Sequence, residues 1–148
     1  MCYFWAGSYE PDRPDSGDFK ASDKGKELDG WPGEHWLDLN SDNVRDIMSK
    51  RIKLAAQKGC DAIDPDNIDA YDNDNGLGLT QDDSVDYVKF ISETAASFNI
   101  STGLKNGGDI IPSVLSLVQF SVNEQCVEMT ECDTFSAFVN ASKPVFHI

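Results

Sequence analysis

The stretch Gly59-Cys60-Asp61-Ala62-Ile63-Asp64-Pro65-Asp66-Asn67-Ile68-Asp69 constrains the fold of this chain more than any other. Cys60 to Ile63 is too short for a helix and runs directly into acids, so it reads as a buried strand that delivers carboxylates to a rim. Upstream, Val44, Ile47, Met48, Ile52 and Ala55 recur at helical spacing from Ser41 onward. Gly59 stands where a left-handed C-terminal cap is wanted. A capped helix feeding a short strand is one half of a β/α repeat.

The same alternation runs along the chain. Met1 to Ala6, Trp36 to Leu39, Ser101 to Asn106, Phe120 to Asn123 and Lys143 to Ile148 are further strand candidates. Thr80-Gln81-Asp82-Asp83 has a hydroxyl placed to cap a helix and acids at its positive end, and Val85, Val88, Ile91 and Ala95 continue that helix. Shorter helices are expected from Asp109-Ile110-Ile111-Pro112, where proline suits a first turn, and over Asp133 to Asn140. Tyr9 to Gly33 and Asp69 to Leu79 lack a helical period and read as long polar loops. Six strands separated mostly by helices predict a parallel α/β fold, and no linker or internal repeat divides residues 1–148.

In such folds the loops that leave the C-terminal strand ends share one face and carry the site. That rule gathers Glu10, Asp38, Asp64, Asp66, Lys105, Asn106, Asn123 and Glu124. Several acids in one pocket repel, so one can stay protonated while another is ionised, which is what glycoside hydrolysis asks of a carboxyl pair. Any single acid here equally fits a helix cap or turn, and Asp66 and Glu124 carry weight because they lie on different strands. Tyr3, Trp5, Tyr9, Trp31, Trp36 and Tyr71 can stack on sugar faces or fill a core.

The charge excludes other classes. Twelve basic against twenty-six acidic residues give 12 − 26 = −14, which opposes nucleic acid and anionic membrane as partners and favours a cationic or neutral ligand. No run approaches the ~20 apolar residues of a membrane span, and Met1 to Trp5 lacks the features of a secretory signal. Cys126 and Cys132, six apart around a polar loop, can close a small ring or stay reduced. Asn99-Ile100-Ser101 and Asn140-Ala141-Ser142 match glycosylation acceptors. Asp69 to Gly76 is rich in oxygen ligands, but aligning Gly76 to the turn glycine of a calcium loop puts Tyr71 at the first ligand position. No metal, phosphate-loop or dinucleotide motif appears, and no cofactor is expected.

Six ordered segments also carry a family resemblance: Cys2-Tyr3-Phe4-Trp5-Ala6-Gly7-Ser8-Tyr9-Glu10, Gly30-Trp31-Pro32-Gly33-Glu34, Trp36-Leu37-Asp38, Asp64-Pro65-Asp66-Asn67, Gly103-Leu104-Lys105-Asn106 and Asn123-Glu124-Gln125-Cys126. Together they resemble glycoside hydrolase family 114, the endo-α-1,4-polygalactosaminidases, whose fold is a (β/α)₈ TIM barrel. The resemblance implies cleavage of α-1,4-linked galactosamine-containing polysaccharide, a cationic galactosaminan, with Asp66 and Glu124 as the catalytic acids. It implies that Asp38, Asp69, Lys105 and Asn106 line the sugar site, with Tyr3, Asp64, Asn67 and Gln125 beside them. A retaining mechanism, with Asp66 as nucleophile and Glu124 as acid/base, requires carboxyl groups about 5 to 5.5 Å apart. Asp64 is the rival of Asp66 for that role.

At 148 residues the chain is below the roughly 250 typical of a complete barrel. The resemblance sets Met1 at the second barrel strand and Ile148 at the seventh, so one domain of about six of the eight β/α units is expected, with secretion a property of the intact protein. Two other readings stand beside the endo-hydrolase: an α-galactosidase-like exo-glycosidase using the same acids, and a non-catalytic carbohydrate-binding barrel fragment. Oligomeric state is left open.

Overall fold

The computed structural model describes residues 1–148. In chain order it contains β1 (Cys2–Trp5), β2 (Ser8–Tyr9), β3 (Lys24–Glu27), β4 (His35–Leu37), α1 (Asp42–Gln57), β5 (Ala62–Asp66), α2 (Gln81–Ala96), β6 (Ser101–Lys105), α3 (Ile111–Val114), β7 (Phe120–Asn123), α4 (Ser136–Asn140) and β8 (Val145–His147). Five strands form a parallel sheet in the order β1-β5-β6-β7-β8. This is the expected partial barrel, an arc whose C-terminal strand ends lie along one edge.

The arc has five strands, not six. Trp36 and Leu37 belong to β4, which pairs antiparallel with β2 and β3 in a separate three-stranded sheet. The reason lies in the connection. A parallel partner needs a crossover, usually a helix, and residues 10–34 hold only two short 3₁₀ turns and β3. The expected loop from Tyr9 to Gly33 is therefore partly sheet; the Lys24-Gly25-Lys26-Glu27 strand has no apolar alternation to announce it.

Both long helices form where their caps predict. Ser41 Oγ accepts the Val44 amide at 3.4 Å, and Val44, Ile47, Met48 and Ile52 are buried. Gly59 takes φ +79° just past the end of α1. At α2, Thr80 Oγ1 accepts the Asp83 amide at 3.3 Å while Asp83 Oδ2 accepts the Thr80 amide at 2.7 Å, a reciprocal cap. The buried face of α2 includes Tyr87, whose hydroxyl donates to the Ala6 carbonyl at 2.7 Å. Burial pushes that phenol's pKa up, so it remains a donor. Helix α2 thus holds the end of β1 in place.

The Asp69–Leu79 loop is braced from within. Buried Asn75 accepts the Leu77 amide at 2.7 Å through Oδ1 and donates to the Ala70 carbonyl at 2.8 Å through Nδ2. At Gly7 the chain passes so close to the Asn67 carbonyl that a Cβ could not be accommodated. Both pairs of cysteines are bonded. Cys126–Cys132 closes the small ring expected as one option, and Cys2–Cys60 ties the start of β1 to the α1–β5 junction.

A separation of 58 residues made the Cys2–Cys60 bond invisible to spacing, yet it closes the larger loop and should contribute more stability. Replacing both with serine is expected to cost about 2–4 kcal/mol. Urea unfolding should give the double variant a lower midpoint than the oxidised parent; an unchanged midpoint would mean the bond does not constrain the unfolded chain.

Candidate active site

The register of the sheet decides which side chains meet. Tyr3 lies opposite Asp64 and Trp5 opposite Asp66 across β1 and β5, and Lys105 lies opposite Val122 across β6 and β7. The acids of β5 and the acid that follows β7 therefore stand on either side of β6, with Lys105 between them.

Asp66, at the end of β5, accepts at both oxygens. The Tyr3 hydroxyl donates to Oδ2, and the Asn67 amide donates to Oδ1 at 2.9 Å. Asn67 in turn donates from Nδ2 to Ser8 Oγ at 2.7 Å, joining the arc to the antiparallel sheet. The Tyr3 phenol is raised well above its usual range, first by burial and then by its bond to Asp66 and the charges of Asp66, Glu124 and Asp64. It stays a donor and fixes the plane of the Asp66 carboxylate.

Glu124, one residue past β7, is held from β6. Asn106 Nδ2 donates to Glu124 Oε2 at 3.0 Å, and the Glu124 amide donates back to Asn106 Oδ1 at 3.0 Å. Lys105 Nζ lies 3.5 Å from Glu124 Oε1 and 3.9 Å from Asp64 Oδ2. It also sits 5.1 Å from the Tyr3 ring centroid. Both Lys105 and Asp64 are buried, whereas Glu124 is exposed and Asp66 half-buried. Asp64 is pushed up by burial, an effect that Lys105 opposes and that Asp66 and Glu124 reinforce. Its Oδ1 is buried without a hydrogen-bond partner. Asp64 is thus a buried partner of the lysine, and Asp66 the carboxylate nearer solvent.

A cleft of about 350 Å³ opens beside Glu124 and is lined also by Asp69, Asn106 and Gln125. Asp66 does not line it but acts on Asp69, whose pKa is raised to about 6, first by burial and then by the charges of Asp66, Asp72 and Glu124. Backbone geometry repeats across the site. Asn67, Asn106 and Gln125, following β5, β6 and β7, all adopt left-handed torsions with φ +59°, +51° and +60°. Asparagine tolerates this region better than most residues, and glutamine less well.

Of the residues expected at the site, Tyr3, Asp64, Asp66, Asn67, Asp69, Lys105, Asn106, Glu124 and Gln125 come together through these contacts. Asp38 does not join them. Its Oδ1 accepts the Asn40 amide at 3.0 Å in the turn that opens α1, and no ion pair or hydrogen bond links it to the acidic cluster. Glu10 pairs with Arg13 at 2.5 Å. Glu34 was not singled out by sequence, although it ends the Gly30–Glu34 motif; its carboxyl is raised by burial and by the nearby charges of Glu10 and Asp66. Cys126, Cys132 and His147 offer ligand atoms within 4.8 Å of one another, but the sulfurs are joined in a disulfide and cannot act as thiolates. His147 Nδ1 lies 2.8 Å from Asn123 Oδ1, which fixes the end of β8 against β7.

A parallel β/α arc with carboxylates gathered at its C-terminal edge defines a (β/α)-barrel-type protein. The chain belongs to glycoside hydrolase family GH114, whose family model matches residues 1–148. Among solved structures it is similar to Aspergillus fumigatus Ega3, determined in complex with galactosamine, at 59% identity and a TM-score of 0.98. That match covers 99% of this chain and 58% of Ega3. A variant of the glycoside hydrolase domain of PelA from Pseudomonas aeruginosa shares the fold at 13% identity and a TM-score of 0.75, over 97% of this chain and 64% of that one. The chain therefore spans less than two thirds of either relative's length. No curated protein sequence matches it.

The raised Asp69 pKa has a stability consequence with a definite sign. The folded state holds this proton to about pH 6, while an unfolded aspartate releases it near pH 3.9. Between these values the native state binds more protons, so its stability falls as pH rises from about 4 to about 6. Asp69→Asn should remove about 2–3 kcal/mol of that loss. Urea unfolding at pH 4 and pH 7 should show a smaller difference in the variant than in the parent; equal differences would contradict the assignment.

Proposed function

We propose that this chain supplies the catalytic face of a secreted glycoside hydrolase that cuts α-1,4-linked galactosamine-containing polysaccharide. Membership of GH114 and 59% identity to a protein solved with galactosamine support the substrate class. The observation that carries the reading is the pairing of two differently held carboxylates, Asp66 bonded by Tyr3 and Asn67 and Glu124 bonded by Asn106 beside Lys105. A formal charge of −14 suits a polymer bearing ammonium groups. Two disulfides suit an oxidising compartment, and no helix is long and apolar enough to cross a membrane.

The chemistry assigned to the pair is retaining. An Asp66 oxygen, oriented by Tyr3, attacks the anomeric carbon as protonated Glu124 gives its proton to the glycosidic oxygen, so one C–O bond forms as another breaks. Glu124, then ionised, takes a proton from water, whose oxygen displaces Asp66 from the anomeric carbon. Lys105 stabilises the charge Glu124 carries between these steps. The lining groups Asp69 and Gln125 hold the sugar, while buried Asp64 balances the charge of Lys105.

With the intact protein on galactosaminan, Glu124→Gln should lower kcat by about 10²–10⁴-fold, and Asp66→Asn should abolish accumulation of a glycosyl-enzyme. The first product, followed by NMR, should keep the anomeric configuration of the substrate. Unchanged turnover in Glu124→Gln would instead support a non-catalytic carbohydrate-binding role, and release of monosaccharide alone would support exo action.

A further inference from the structure

The cleft beside Glu124 is one end of a longer depression. It adjoins a second cavity of about 210 Å³, because Asp69 and Asn106 line both. That cavity adjoins a third of about 390 Å³, with Asp29, Trp31, Trp36 and Asn73 common to the two. The path leads from the parallel arc onto the antiparallel sheet.

We propose that Trp31 and Asp29 form a distal subsite for a further ammonium-bearing sugar of the polymer, a proposal that rests on the reading of this chain as a galactosaminan hydrolase. The indole of Trp31 is 63% exposed, while Trp36, lining the same two cavities, is buried. An exposed indole offers a flat apolar face to the C–H side of a pyranose. The backbone that carries it is preset. The Trp31 amide donates to the Leu28 carbonyl at 3.1 Å, the Glu34 amide to the Trp31 carbonyl at 3.1 Å, and the Leu28 amide to the Glu34 carbonyl at 2.9 Å. Gly30 and Gly33 on either side take φ +80° and +85°, which lets so tight a turn close. The loop that carries the indole is held by backbone bonds before a ligand arrives.

Asp29 supplies the charge. It is exposed beside the indole and has no ion-pair partner, whereas Asp74 in the same cavity is engaged by Lys26 at 2.6 Å. A carboxylate next to a stacking face matches a sugar whose 2-substituent is an ammonium and disfavours its N-acetylated counterpart, which has no positive charge to pair. The subsite lies away from the reacting bond, so it acts on polymer length and acetylation pattern.

Binding is measured in the intact protein carrying Glu124→Gln, which keeps oligomers uncut, with galactosamine and α-1,4-galactosamine oligomers of increasing length as probes. Affinity should rise with length, and Trp31→Ala should lower it for long oligomers about three- to tenfold more than for galactosamine. Asp29→Asn should reduce the preference for deacetylated over N-acetylated oligomers by about two- to fivefold. An equal effect of Trp31→Ala on short and long ligands, or no length dependence in the parent, overturns the subsite; an unchanged acetylation preference in Asp29→Asn overturns the role of that carboxylate. Failure of the intact wild-type protein to cut galactosaminan would strike the hydrolase reading alone, because the length dependence is read by binding.

Discussion

Lys105 is a cation buried at the C-terminal end of a parallel strand, and burying an ammonium is costly unless opposite charge surrounds it. Asp64 supplies that charge from β5 and Glu124 from beyond β7, so one side chain on the middle strand sets the separation of its neighbours' acids. Asp66 is thereby left to Tyr3 and the Asn67 amide. The division of labour between a buried structural acid and two more accessible ones follows from this single charge. Glu124, still exposed, gains little stability from the pair, which argues for placement as the purpose of the contact.

The parts of the fold that were legible in the sequence are those with local causes. Helix α1 was readable from its apolar period and Gly59, and α2 from the Thr80–Asp83 cap, because caps and faces are written within a few residues. Strand β5 was readable because its apolar run is short and stops at acids. The antiparallel sheet was not, since β2 has two residues and β3 no apolar alternation; its partners are set by tertiary packing. For the same reason Trp36 and Leu37 were assigned to the wrong sheet, although their identity as a strand was visible.

The site divides along the same line. Asp66, Glu124, Lys105 and Asn106 were legible because each stands at or just past a strand end, whereas Tyr3, inside β1, was marked only as an aromatic and by the family resemblance. Asp38 satisfied the same positional rule and yet caps the turn before α1, since its strand does not belong to the arc that builds the site. Glu34 was missed because nothing local marks it; only the folding of the Gly30–Glu34 turn over the arc brings its charge near Asp66. Spacing predicts which residues leave a strand end, but not which sheet the strand joins.

The left-handed residues Asn67, Asn106 and Gln125 give the rim a further property. Each reverses the chain within one residue of a strand or of its acid, so the directions of the carboxylates are encoded in backbone torsions as well as in side-chain bonds. A β-branched side chain fits that backbone region poorly, so valine, isoleucine or threonine at any of the three would strain the rim, and at Asn67 or Asn106 it would also remove an amide that bonds Ser8 or Glu124.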